Sequence, residues 1–391
     1  MKKKLIFVTE ALWIGGIETA LVNLLNRLDY DKYEVDCLLL RDDRTLAPRV
    51  PAQCHLLTAD RERRVSFPKP YRFARLYNLC QPTEHSSRAH RLLIPAVPLL
   101  RWLENRLYIR YLRRCMAAEH YDVAVIYSDR AAEPAVRALR AEQYLMYYHH
   151  GAMRRSYHDE IGYRRSRRII AVSEGIARQL RDFRAPWAEK VITIPNLVNV
   201  EEVRRRSLEA TPELLPEDGF HLVTCGRISP EKGMDLAAEA CAILLQQGMS
   251  DLHWWLVGGG PAQRDLEAQI RRLGIESHFH ILGMRRNPYP YLRRADLYVQ
   301  PSRFEGHSVT VLEARVLQKP IVATFAAAEG QLRQNVDGLL CDTEAEALAK
   351  AIRRCREDAG LRQRFQASLK SHDFEADNQA ALRQLCDLID S

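Results

Sequence analysis

The sequence predicts an α/β protein of two tandem domains, each a doubly wound parallel sheet. Three observations carry that expectation. Short apolar runs alternate with helix-period segments from end to end, the pattern of parallel sheets whose crossovers are helices. At about 150 residues per domain, 391 residues divide into two, each long enough to bury a core. The formal charge of +8 is unevenly shared: residues 1–195 hold 34 basic and 22 acidic side chains, a net +12, and residues 196–391 hold 24 and 28, a net −4. A basic half joined to a mildly acidic half reads as two domains with different partners, the basic one meeting an anionic surface or substrate.

In chain order, the first strand is Leu5–Thr9, and residues 17–28 follow with apolar positions at helical spacing. Further strands are expected at Val35–Leu40, Val123–Tyr127, Leu145–Tyr148 and Ile169–Val172, after which Ser173 stands as the N-cap of a helix. Ile194-Pro195-Asn196 and the charged stretch 201–218 read as the connection between domains. A second series opens at His221–Cys225 and recurs at Trp254–Val257, His280–Leu282, Leu297–Gln300 and Pro320–Thr324. The domains are therefore 1–199 and 200–391, and residues 58–120, basic and broken by prolines, read as an elaboration of the first.

Nine cysteines at irregular spacing, with no Cys-x-x-Cys pair, argue against a disulfide scaffold or zinc site and for reduced thiols in the cytoplasm. The three lysines before Leu5 superficially suggest a signal peptide, but the apolar run stops at Glu10 and no small-residue cleavage site follows. No stretch approaches the ~20 apolar residues that span a bilayer; Leu92–Leu100 is short and holds Pro95 and Pro98. The expectation is a cytoplasmic chain, neither secreted nor membrane-spanning.

Several short motifs sit where chemistry is expected. Gly15-Gly16 follows the first strand and opens a helix, where backbone N–H groups can approach a phosphate, although an ordinary tight turn looks the same. The full GxGxxG fingerprint is absent there and at Gly258-Gly259-Gly260-Pro261, which argues against a nicotinamide enzyme. Gly226–Gly233 follows the first strand of the second domain and carries Arg227 and Lys232, two cations for one polyanion, or else a solvated loop paired with Glu231. Glu305 and Glu313 bracket a strand-to-helix turn, and Glu313 falls in an apolar run where a carboxylate needs a partner or a ligand. His149 and His150 end a strand and precede Gly151, facing the side of the sheet where ligands bind. No carboxylate stands at ligand spacing from them, so a metal is not expected. Asp29-Tyr30-Asp31 reads as a solvated turn.

In order, Gly15-Gly16, Val172-Ser173-Glu174, Ile194-Pro195-Asn196, Gly226–Gly233, Leu256–Pro261 and the Glu305-x7-Glu313 element resemble the retaining, nucleotide-sugar-dependent glycosyltransferases of family 4, over nearly the whole chain. Phe304–Ser308 and Lys319–Thr324 resemble bacterial members that build surface polysaccharides, such as capsule, or teichoic-acid-like polymers. The resemblance implies the GT-B fold: two Rossmann-like domains facing each other across a cleft, acceptor in the first, nucleotide sugar in the second, with the last helix returning to the first. It implies a catalytic set of Arg227, Lys232, Glu305 and one of His149 and His150, with His150 preferred because Gly151 follows it. Arg227 and Lys232 would bind the donor diphosphate and stabilise the leaving group, as fixed cations can in place of a metal. Glu305 would hold donor-sugar hydroxyls and Glu313 the ribose. Gly306, His307, Ser308 and Val309 would add a helix N-terminus to the phosphate site, Gly15 and Gly16 a similar contact from the other domain, and Arg285 would stand by the base. Neither metal nor cofactor is implied beyond the nucleotide sugar, expected to be UDP-linked on family frequency. Retention normally suggests two carboxylates and a covalent intermediate, but the family shows no clear nucleophile, so Glu305 is given a positioning role.

Two positions depart from the family pattern. Leu197-Val198-Asn199 stands where many relatives carry Gly-Val-Asp, and His307 stands where an aromatic or small apolar residue is commoner and would alter sugar preference beside Glu305. Residues 51–120 hold 13 basic and 5 acidic side chains, and Leu100, Leu103, Leu107 and Tyr111 share a helical face with Arg106, Arg110, Arg113 and Trp102 nearby. Arg154, Arg155, Arg164, Arg165, Arg167 and Arg168 extend the basic character. That suits a helix lying on an anionic membrane and a polyprenyl-linked or other lipid-linked acceptor at the cytoplasmic leaflet, though a helix packed on its own domain reads equally well. The competing readings are a GT-B phosphorylase or epimerase, a non-catalytic partner that binds lipid or another transferase, and, more distantly, a nucleic-acid binder lacking interleaved aromatics.

Overall fold

A computed structural model describes residues 2–58, 97–128, 131–151, 160–183, 186–210, 215–216 and 218–391, without the side chains of 97–105, Ala132 and Glu160. The strands are β1 (Lys3–Thr9), β2 (Tyr33–Leu39), β3 (Cys54–Thr58), β4 (Tyr121–Ile126), β5 (Ala141–Tyr148), β6 (Arg168–Ala171), β7 (Val191–Thr193), β8 (Phe220–Cys225), β9 (Leu252–Val257), β10 (Phe279–Gly283), β11 (Leu297–Gln300), β12 (Ile321–Thr324) and β13 (Leu339–Cys341). They form two parallel sheets, in the orders β3-β2-β1-β4-β5-β6-β7 and β10-β9-β8-β11-β12-β13. In each, the order runs outward from the first strand, reverses, and continues from the fourth, the doubly wound arrangement. By contact the chain forms two compact units. One holds Met1–Trp13, Leu28–Tyr148 and Arg155–Ile169; the other holds Ile14–Arg27, His149–Arg154 and Ile170–Ser391.

All ten expected strands form, because continuous apolar runs mark strands covered on both faces. β3, β7 and β13 were not expected. The first lies in the basic stretch, and the other two are three residues long, too short to show a period. The helix Glu174–Asp182 starts at Ser173 as predicted, whose Oγ accepts from Ile176 N at 3.4 Å. The charged connection differs from expectation by containing the helix Val200–Arg206. Asn199 caps it, its acidic first turn and basic last turn suit the helix dipole, and Val203 is buried.

In the second sheet Trp254 is fully buried, and its indole donates to Thr224 Oγ1 at 2.9 Å, which donates to Val299 O at 2.8 Å. One polar thread thus ties β9, β8 and β11, as a buried indole requires. The final helix, Phe374–Asp390, meets earlier parts of the chain at two points. Asn378 bonds both backbone groups of Val198 at 3.0 and 2.9 Å, and Glu375 Oε2 accepts from Arg27 Nη2 at 2.9 Å. Cys80 lies outside the described residues; Cys37, Cys54, Cys225, Cys241, Cys341 and Cys355 are buried free thiols, which burial pushes above the ordinary range, to about 12 for Cys54, Cys241, Cys341 and Cys355.

The basic helix spans Val97–Cys115, but its packing face is not the expected stripe. Ile109, Leu112 and Met116 are buried and Tyr108 donates to Leu40 O at 3.1 Å, whereas Leu107 is 52% exposed. A second set of apolar residues at spacings of three and four offers a face on the opposite side of the helix, and the domain buries that one. The side chains of Leu100, Trp102 and Leu103 lie outside the described residues.

Four histidines gather at one end of the second sheet. The rings of His221 and His278 lie 5.7 and 5.5 Å from that of His253, whose Nδ1 is 3.2 Å from His280 Nε2, and Trp255 stacks on His280 at 4.1 Å. Burial, then the neighbouring imidazoles, pushes His280 down to about 4; the same causes lower His253, with Asp251 opposing. An unfolded histidine titrates near ~6.5, so below that pH the unfolded chain takes up protons first. Stability is therefore intact above ~7 and declines from ~6.5 toward ~4. The melting temperature is expected to fall over that interval, and His280→Phe, which keeps a ring against Trp255, should flatten the fall. Equal slopes for the two proteins would refute the assignment.

Candidate active site

The order of the second sheet reverses between β8 and β11, and ligands of such sheets bind outside the carboxyl ends of the strands at that point. The loops after these two strands are held backbone to backbone. The turn Pro230–Lys232 ends at Gly233, where φ is 65° and a Cβ would stand 2.1 Å from Pro301 O. Only glycine fits that position. Arg303 fastens the contact: its N–H donates to Glu231 O at 2.9 Å, its Nη1 to Pro230 O at 2.8 Å, and its guanidinium reaches both Asp235 oxygens at 2.7 and 2.6 Å. Burial opposes ionisation of Asp235, but Arg303 outweighs it and holds the carboxyl below its usual range.

This packing sets Lys232 Nζ at 2.6 and 2.7 Å from the two carboxylate oxygens of Glu305. Glu305 Oε1 also accepts from Ser302 Oγ at 2.8 Å and Gln300 Nε2 at 3.2 Å. Oε2 retains lone-pair capacity for a ligand hydroxyl, and the ammonium retains a third N–H. Gln300 and Ser302 are buried, and Gln300 Oε1 accepts from Tyr298 Oη and, at 3.2 Å, from Thr310 Oγ1, so a satisfied network stands behind Glu305. Arg227 is exposed and bonds Glu231 Oε1 at 2.8 Å.

The two histidines come against the Glu305 loop. A Cβ on Gly151 would stand 2.4 Å from the Glu305 backbone, and one on Gly306 would stand 2.0 Å from His149 O, so the segments His149–Gly151 and Glu305–His307 interlock through their glycines. His149 is the buried member of the pair and His150 the half-exposed one. Burial, then the charges of Arg315 and His149, pushes His307 down to about 3, so its imidazole is neutral at physiological pH. Asn196 Nδ2 donates to His307 O at 3.1 Å, tying the Ile194-Pro195-Asn196 element to the same loop.

Ser308 caps the helix Val309–Val316, accepting from Val311 N at 3.4 Å. Its N–H donates to Gln331 Oε1 at 2.8 Å and its carbonyl accepts from Gln331 Nε2 at 2.9 Å, so that amide, which the resemblance would give to phosphate, is engaged by a side chain. Gly15 precedes the helix Gly16–Leu25, and a Cβ on Gly16 would lie 3.8 Å from Val309, so two helix N-termini converge. Their partial positive charges favour an anion there. Glu313 is 5% exposed and accepts from Tyr289 Oη at 2.8 Å. Arg285 Nε donates to Tyr291 Oη at 3.4 Å, a bond that joins it to the helix Tyr289–Arg294. Among the described residues no set of three or more His, Cys, Asp or Glu side chains is arranged to hold a metal ion, and no helix is long and apolar enough to cross a membrane.

Sequence reading missed Gln300, Ser302, Gln331 and Tyr289. Gln300 and Ser302 left a signal, since polar residues directly after Leu297-Tyr298-Val299 stand at the end of a buried strand. Gln331 and Tyr289 left none, because only folding brings them to Ser308 and Glu313.

A family model described as Glycosyltransferase Family 4 matches residues 14–202, and one described as Glycosyl transferases group 1 matches residues 219–358. The chain thus carries a Glycosyltransferase Family 4 domain followed by a Glycosyl transferases group 1 domain. It is 29% identical over 217 residues to the lipopolysaccharide core biosynthesis glycosyltransferase LpsD of Rhizobium meliloti, covering 54% of this chain and 60% of that protein. It is 26% identical over 179 residues to the N-acetylgalactosamine-N,N'-diacetylbacillosaminyl-diphospho-undecaprenol 4-alpha-N-acetylgalactosaminyltransferase of Campylobacter jejuni, covering 45% of this chain and 47% of that one. The matches thus span only about half of each relative's length. The chain also matches the crystal structure of Anabaena HepE in complex with UDP and glucose, at a TM-score of 0.68 and 20% identity over 98% of this chain and 99% of that one, which shows the GT-B fold.

The interlock yields a contrast between two glycines. Gly306→Ala is expected to lower the melting temperature by several degrees, because the added methyl meets a backbone carbonyl. Gly175→Ala, in a helix with nothing within 4 Å of the new Cβ, should be neutral or stabilising by about 0.4–1 kcal/mol. Thermal unfolding of both variants checks this, and a harmless Gly306→Ala would overturn the interlock.

Proposed function

We propose that this glycosyltransferase moves a sugar from a UDP-linked donor to a glycan or lipid-linked acceptor in surface polysaccharide synthesis, with retention of anomeric configuration. The observation that carries the reading is the Lys232–Glu305 pair at the reversal point of the second sheet, 2.6 Å apart and beside two converging helix N-termini. As the glycosidic bond of the donor breaks, negative charge develops on the leaving diphosphate. Lys232, Arg227 and the helix ends meet it, an arrangement of fixed positive charge that needs no reorganisation during the reaction and no bound metal.

Glu305 holds the sugar. A carboxylate whose Oε1 already takes three hydrogen bonds is a poor nucleophile and a well-oriented acceptor, which supports positioning rather than a covalent intermediate. Glu313 and Tyr289 would take the ribose, and His149, with neutral His307, lines the sugar side. Support for UDP comes from the Anabaena neighbour, whose crystal holds UDP and glucose, and support for a glycan or lipid-linked acceptor from the relatives' activities.

Lys232→Ala and Glu305→Gln should each lower kcat/KM by about 100-fold or more while the protein stays folded, and Lys232→Ala should also weaken the thermal shift caused by UDP. Near-normal turnover in either variant would refute these roles, and an inverted product anomer, read by NMR, would refute retention.

For the acceptor side, the reading includes peripheral attachment to an anionic membrane. Arg165, Arg167 and Arg168 are spent on Val136 O, Gln143 Oε1 and Arg167 O, and Arg154 and Arg155 lie outside the described residues, so the support is the helix Val97–Cys115. There Arg106, Arg110 and Arg114 are exposed around Leu107, opposite the face buried by Ile109 and Leu112. Sedimentation with phosphatidylglycerol vesicles should exceed that with phosphatidylcholine, weaken with salt, and fall in an Arg106→Gln, Arg110→Gln, Arg114→Gln variant. Equal binding to both lipids would end this part of the reading.

A further inference from the structure

The first sheet carries a polar cluster that the donor machinery leaves unused. Its strand order reverses between β1 and β4, so the rule that locates Lys232 and Glu305 points here to the carboxyl ends of those two strands. Thr9, which ends β1, is fully buried; Glu10 is 7% exposed; Ser128, two residues past β4, is 6% exposed. Buried polar groups normally find partners, and the way each is satisfied separates structure from site. Asp36, a buried carboxylate within β2, accepts from Tyr121 Oη at 2.7 Å and stands 3.2 Å from His55 Nδ1, a settled structural group. The Thr9 hydroxyl, by contrast, is buried with no hydrogen-bond partner among the described residues. Glu10 Oε1 lies 2.8 Å from Arg41 Nη2, and the Arg41 side chain is 47% exposed, so the pair opens to solvent on its guanidinium side. The Arg41 N–H also donates to Glu10 O at 2.8 Å, which fixes the pair to the backbone.

A carboxylate accepts, a guanidinium donates, and a threonine hydroxyl does both. Two neighbouring hydroxyls of a pyranose satisfy that set, one donating to Glu10 and the next accepting from Arg41. A phosphate would satisfy the Arg41 guanidinium but not the Glu10 carboxylate, whereas a neutral diol satisfies both. In a half of the chain with a net charge of +12, a carboxylate at the ligand-binding end of the sheet selects a neutral, hydroxyl-rich group. We propose that Glu10, Arg41 and Thr9 form the subsite that reads adjacent hydroxyls of the acceptor sugar, with Glu10 determining specificity. Assigning those hydroxyls to the acceptor rests on the proposed function; recognition of a diol here does not.

The test uses the full chain, with and without UDP, and methyl glycosides of glucose, galactose, mannose and N-acetylglucosamine with their monodeoxy analogues, binding being read by saturation-transfer NMR. At least one glycoside should bind. Glu10→Gln should weaken it tenfold or more, and Thr9→Val severalfold without lowering the melting temperature. The analogue lacking the hydroxyl that Glu10 reads should bind wild type and Glu10→Gln equally. The UDP-induced thermal shift should be unchanged in both variants. Should Glu10→Gln fail to fold, Thr9→Val carries the test. Affinities unchanged in the folded variants, a loss equal across every deoxy analogue, or no binding of any glycoside would overturn the subsite. Absence of a UDP-induced shift in the wild type would instead overturn the donor reading and leave the glycoside result to be judged by itself.

Discussion

Two loops at the carboxyl ends of β8 and β11 must touch through their backbones, and the Lys232–Glu305 pair depends on that contact. Gly233 permits it by occupying a left-handed conformation with no side chain, and Arg303 secures it with bonds to Pro230, Glu231 and Asp235. Spread apart, the loops would leave Lys232 and Glu305 as two solvated charges. Held together, they form a pair whose side chains are 24% and 10% exposed. A pair of that kind differs energetically from Arg227–Glu231 on the surface. Exposed pairs contribute roughly 0–1 kcal/mol, whereas removing one partner of a buried pair costs about 3–5 kcal/mol. Lys232–Glu305 lies between these limits, and the bonds from Ser302 and Gln300 keep Glu305 oriented when a ligand draws the ammonium away.

The same economy of charge runs through the rest of the chain. The second half is mildly acidic overall, yet it places Lys232 and the N-terminus of the helix Val309–Val316 in loops at one end of its sheet. The first half is strongly basic overall, yet the polar group at the reversal point of its sheet is the Glu10–Arg41 pair. Net charge governs what large surfaces meet, and a few placed groups govern what a site binds.

Much of this was legible in the residues. Ten strands announced themselves as apolar runs, and Ser173 announced its helix. Gly226–Gly233 and the Glu305-x7-Glu313 element stood where the sheet topology makes a ligand site. The failures have physical causes. A three-residue strand such as β13 has no period to read. The stripe Leu100, Leu103, Leu107 and Tyr111 was a sound amphipathic pattern, but Ile109, Leu112 and Met116 offered another face of similar quality, and only the surface beneath could choose between them. Gln331 and Tyr289 are distant in sequence from the groups they satisfy, and nothing local marks them.

By itself the sequence determined the α/β class, the two sheets and the two glycosyltransferase domains. Those follow from local periodicity and from motifs contained within a few residues. Tertiary structure decided the partners: that Lys232 grips Glu305, that Gly306 lies against the carbonyl of His149 rather than that of His150, that Gln331 occupies the Ser308 amide, and that Glu10 is paired by an exposed arginine. Each is a contact between segments far apart in the chain, made only once the backbones have packed, and no local pattern specifies it.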